Sequence, residues 1–121
     1  MNIKFWGSRE YPKPYPPALE QNIARVERIF SSARQQFGQD GPWLFGRFCA
    51  ADAMFAPVCL RFRSYGVVLQ DVVAQAYVGT VLASPHLAEW CAAAMLEEAA
   101  GKAIPHYDAQ YASKSTPRQQ V

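Results

Sequence analysis

Charge is scarce in this chain and neither sign dominates: twelve Lys and Arg stand against ten Asp and Glu, a formal net charge of +2, with no long basic run. Nucleic-acid affinity rests on many simultaneous phosphate contacts, so this balance excludes such a partner. No apolar stretch approaches the ~20 residues that span a bilayer. The segment Met1 to Gly7 has neither the apolar run nor the small-residue cleavage site of a secretion signal. A soluble, cytoplasmic protein with no membrane partner is the expectation. Cysteine is also sparse: Cys49, Cys59 and Cys91 are an odd number at wide spacing, without a C-x-x-C pair or a histidine placed to complete a zinc set. Reduced, mostly buried thiols follow, with no metal and no cofactor expected. Two-residue apolar alternation never persists, which excludes strands.

What is present is hydrophobic: half of the 121 residues are apolar and only 18% are charged. A chain of that size suits one domain that removes roughly two-thirds of its unfolded surface from water. The segment 1–16 is rich in aromatics and proline, with Phe5-Trp6 and then Tyr11-Pro12-Lys13-Pro14-Tyr15-Pro16. Proline fixes φ and removes N–H donors, so an extended arm is predicted there rather than a helix. From position 17 the period becomes helical. Leu19, Ile23, Val26, Phe30, Ala33 and Phe37 lie on one stripe, Pro17 suits the first helical position and Gly38 supplies a stop, so a helix is predicted over 17–37. Glu20 and Arg34 match the dipole at its two ends.

A turn at Gln39-Asp40-Gly41-Pro42 and an apolar loop, Trp43-Leu44-Phe45-Gly46, lead into a second helix over about 50–64, ending at Gly66, with Pro57 predicted to bend it near Ala53. A third helix is expected over about 69–83. Ser84-Pro85 opens a fourth, running to about Ala100 and burying Leu87, Trp90, Cys91, Ala94 and Met95. The polar segment 108–121 has almost nothing to bury and is expected to be a mobile tail. The fold class is therefore all-α, a bundle of four main helices.

The string Leu44-Phe45-Gly46-Arg47-Phe48-Cys49-Ala50-Ala51-Asp52-Ala53-Met54-Phe55-Ala56-Pro57, continued by Leu60-Arg61-Phe62-Arg63-Ser64-Tyr65-Gly66 and Pro85-His86-Leu87-Ala88-Glu89-Trp90, resembles the C-terminal helical domain of bacterial glutathione transferases. The likeness covers roughly 17–107. In that family a Leu-x-Gly loop leads to Ser or Thr, two residues, then Asp, which forms a capping box. Here Asp52 is in place and Cys49 stands at the cap, where a poorer acceptor forfeits about 1 kcal/mol. The family's catalytic and glutathione-binding groups lie in a thioredoxin-like half, and its helical domain begins with one further helix. Neither has a counterpart in this sequence, so no catalytic residue is assigned.

The resemblance then implies a non-catalytic helical module that binds a hydrophobic small molecule or a protein partner. The alternative is one part of a glutathione transferase whose thioredoxin-like half comes from another chain. Arg61, Arg63 and Tyr65 are the candidate ligand-binding residues, since two guanidiniums and a phenol near one helix end can hold a carboxylate, or else simply complement the helix dipole. Neither His86 nor His106 has a nucleophile and acid at motif spacing, and Glu97-Glu98 diverge as helix neighbours do. A homo-oligomer, most simply a dimer, is expected through the apolar stripe of the first helix.

Overall fold

A computed structural model describes residues 11–101, and within them the chain forms helices α1 (Pro17–Phe37), α2 (Ala50–Tyr65), α3 (Val72–Leu82) and α4 (Pro85–Ala99). No extended strand occurs among the described residues. The first ten residues of the arm, with Phe5 and Trp6, and the tail at 108–121 lie outside them, as does His106. Residues 11–16 are non-helical, in keeping with their prolines.

Helix α3 is the centre of the bundle, packing on α1, α2 and α4. Its Ala74, Tyr77 and Val81 are buried, and Tyr77 meets Phe30 of α1 edge-on at 4.8 Å between ring centroids. Phe30 also meets Phe55 of α2 at 4.9 Å, so one ring joins three helices. Edge-to-face geometry suits the ring quadrupoles and adds to the burial of apolar area. The stripe on α1 faces this core: Phe30 is fully buried, while Ile23, Val26 and Ala33 pack against it. Phe37, at the end of the stripe, is instead exposed. The internal core therefore uses most of the face that the sequence assigned to a partner.

Helix α2 continues through Pro57 to Tyr65, one residue beyond its predicted end, and stops at Gly66, whose φ of 61° is a left-handed value that glycine adopts without strain. Helix α3 starts three residues later than the sequence suggested. The reason is a cap: the Asp71 carboxylate accepts the amides of Val73 at 2.8 Å and Ala74 at 3.0 Å, and Leu69 turns into the core ahead of it. Helix α4 differs in what it buries. Leu87, Cys91 and Ala94 are half-buried, but Trp90 and Met95 are 49% and 45% exposed, and α4 packs on α3 less extensively than α1 and α2 do. All three cysteines are free, with Cys59 buried and Cys49 and Cys91 half-buried.

Candidate functional site

The loop between α1 and α2 is held in shape by a single guanidinium. Arg34 Nη1 donates to the carbonyls of Gly38 at 2.9 Å and Gly41 at 2.6 Å, and also to that of Trp43. Trp43 and Gly46 exchange backbone bonds at 3.2 and 3.0 Å, closing a tight turn in which Gly46 has φ 92° and a side chain at Gly41 would strike the Gly46 carbonyl. Glycine is required at both positions. The turn sets the Trp43 ring edge-on to Phe48, with centroids 5.0 Å apart.

These two rings form one wall of a cleft of about 310 Å³. Ala53, Ala56 and Pro57 of α2, with Val81 of α3, form its floor, and His86, Leu87 and Trp90 of α4 form the facing wall, with Ser84 at the start of that helix. The lining is overwhelmingly apolar. Small side chains at positions 53 and 56 open the space, and Trp90 stands half exposed at its edge.

Beneath the cleft lies Asp52, 1% exposed. Its Oδ2 accepts the Cys49 amide at 2.8 Å, while Oδ1 accepts the Leu44 amide at 3.0 Å and the Tyr77 hydroxyl at 2.9 Å. The carboxylate thus joins the loop, the start of α2 and the middle of α3, with each donor satisfying a buried charge. Burial, together with the hydrogen bond to Asp52 and its charge, pushes the Tyr77 hydroxyl well above the ordinary phenol range. Burial likewise pushes the Cys59 thiol up to about 12, with the Asp52 charge adding to it. Neither group is a nucleophile near neutral pH.

The sequence's candidate ligand residues lie elsewhere and do not form one cluster. Arg61 and Tyr65 are half-buried one turn apart on α2, where Tyr65 meets the ring of Tyr11 at 6.3 Å. Arg63, two residues from each, projects to a different side and borders a shallow groove with Phe62, Val67, Val78 and Leu82. His86 is exposed at the cleft rim and Glu97 is exposed at the far end of α4. Among the described residues no group of three or more His, Cys, Asp or Glu could hold a metal ion. Sequence reasoning missed the role of Arg34 and the pairing of Trp43 with Phe48. Asp71 carried a readable signal, an acid just ahead of an apolar helical run.

The family model for the glutathione S-transferase C-terminal domain matches residues 16–93. The glutathione S-transferase-like protein gedE of Aspergillus terreus is 32% identical over 92 residues, a span of 70% of this chain and 38% of that protein. The match therefore spans well under half the length of that relative. No solved structure matches the chain.

Proposed function

The chain belongs to the glutathione S-transferase C-terminal domain family, and from that premise we propose that it is a helical binding module that takes an apolar small molecule in the cleft between Trp43, Phe48 and Trp90. The observation that carries this reading is the cleft itself. Its volume, about 310 Å³, is at the lower end of ligand sites, and three aromatic rings offer contact area with little rotamer entropy to lose. Ser84 and His86 supply polar atoms at one end to orient a ligand. A binding role rather than a catalytic one is supported by the two deep groups with nucleophile chemistry, Cys59 and Tyr77, both of which are held protonated.

Tryptophan emission reports on the site directly. Titration with an apolar naphthalene probe is expected to quench it and to raise the melting temperature, with about 2.7 kcal/mol of stabilisation at a hundredfold excess over Kd. Ala56→Leu fills the floor and is expected to abolish both effects while leaving the fold intact. Unchanged binding in that variant would remove the cleft from consideration. Conjugation of glutathione to a general electrophile is expected to proceed at the uncatalysed rate. A rate that rose only on adding a thioredoxin-like chain would favour the reading in which that chain completes a transferase.

Self-association is the second part of the proposal. Ile29, Phe37 and Phe45 are 40%, 57% and 47% exposed, and the rings of Phe37 and Phe45 touch at 5.9 Å. This edge, where α1 meets the following loop, is offered to a second copy of the chain in a symmetric dimer.

A further inference from the structure

Under the apolar cleft sits a negative charge that no cation meets. Asp52, at its base and 1% exposed, accepts from the amides of Leu44 and Cys49 and the hydroxyl of Tyr77, all of them neutral donors. Among the described residues it forms no ion pair. Hydrogen bonds satisfy a buried carboxylate without cancelling its field, and in a low-dielectric interior that field is stronger than in water. Tyr77 and Cys59 both feel it, since the Asp52 charge helps them to keep their protons. Asp52 lies in the first turn of α2, whose positive end offsets about half an elementary charge and leaves the remainder.

The other charges around the cleft do not reverse that sign. No lysine or arginine lines it, and Arg47, one residue ahead of Phe48, is exposed and takes no part in the lining. The start of α4 carries a partial positive charge, but that effect fades within the first turn and Trp90 lies beyond it. Over the carboxylate stand three electron-rich rings: Trp43 and Phe48, 5.0 Å apart with their planes at 82°, and Trp90 on the facing wall. Aromatic faces are negative, and rings set in crossed planes can enclose a cation that has shed its water. We propose that the cleft binds an organic cation, a quaternary ammonium group on an apolar body, held by cation–π contact with Trp43, Phe48 and Trp90 over the buried Asp52 carboxylate. Such a group has no N–H to satisfy, which suits a lining with so few polar atoms. The inference rests on the cleft being the ligand site and adds the sign of the ligand's charge.

Phenyltrimethylammonium is the probe, compared with its uncharged isostere tert-butylbenzene and with benzenesulfonate. All three are titrated against tryptophan emission at about pH 8, where histidine is ordinarily neutral. The cation is expected to bind about tenfold more tightly than the isostere, and the sulfonate more weakly than either. Phe48 is 58% exposed, so Phe48→Leu leaves the core untouched. That variant is expected to lower the cation's affinity about fivefold and to leave the isostere's nearly unchanged. Ala56→Leu is expected to abolish binding of both. Should tert-butylbenzene bind as tightly as the cation, or Phe48→Leu weaken the two equally, the charge preference is overturned while the apolar cleft stands. Should neither probe bind, or Ala56→Leu leave both unaffected, the cleft falls as a ligand site and this inference falls with it.

Discussion

At the scale of single residues, Asp52 ties the loop, the start of α2 and the middle of α3 together. Three donors from three segments converge on it, and a neutral side chain there weakens all three bonds at once. Asp52→Asn puts an amide where both oxygens accept, so at least one buried N–H or O–H loses its partner at about 1–3 kcal/mol. Destabilisation of at least that size by urea denaturation is the expected result, and a neutral outcome would mean that water replaces the carboxylate. Asp71 adds a pH dependence of definite sign. The Ala74 amide, the Ser31 hydroxyl and the Val73 amide all favour its charged form and lower its pKa in the folded state. A lowered folded pKa means that the unfolded chain binds the proton more readily. The stabilisation is therefore present above the unfolded value of about 4 and is lost as pH falls through the folded value. The urea midpoint is expected to drop on acidification, and Asp71→Asn is expected to lessen that drop.

At the scale of elements, the loop from Gly38 to Cys49 depends on the last turn of α1. Arg34 reaches three of its carbonyls, a role no dipole argument assigns to it. Arg34→Met keeps much of the stem and removes those bonds. Stability is expected to fall by about 3–6 kcal/mol, the worth of the two bonds that one Nη1 group can donate from a charged guanidinium, and apolar-probe affinity is expected to fall with it as Trp43 loses its setting. Calorimetric titration measures the second effect independently of the first. The four helices were legible in the sequence because α1 carries a clean stripe and Pro17, Gly66 and Pro85 mark ends by steric rules that hold in any context. The start of α3 was legible only in part: Asp71 ahead of an apolar run is a cap signal, but Ser31 and Glu27 of α1, which bond it, lie forty and forty-four positions away in sequence. The cleft was illegible for a related reason. Its walls come from a loop, α2 and α4, and the spacing along any one of them does not reveal that Trp43 and Trp90 share a space.

At the scale of the molecule, the exposed pair of Phe37 and Phe45 leads to a mass. A dimer formed through that edge has twice the 13.5 kDa of the chain, and light scattering after size exclusion at micromolar concentration reads it directly. Phe37→Glu is expected to return the protein to the monomer mass without lowering its helix content. A wild-type mass of 13.5 kDa would show that the edge stays in water.

The cleft has one wall on α4, the helix that rests on α3 and has no fully buried side chain among those described. Regions with few buried contacts open at lower free energy than the core they adjoin. Backbone amides of α4 are therefore expected to trade their protons for deuterium sooner than those of α1 and α3, where Phe30 and Tyr77 are locked together. A ligand seated between Trp43 and Trp90 bridges the firm side to the loose one. Its binding should appear as protection spread along α4, including amides that never touch it, so that an isotope-exchange map detects occupancy from the helix's far end.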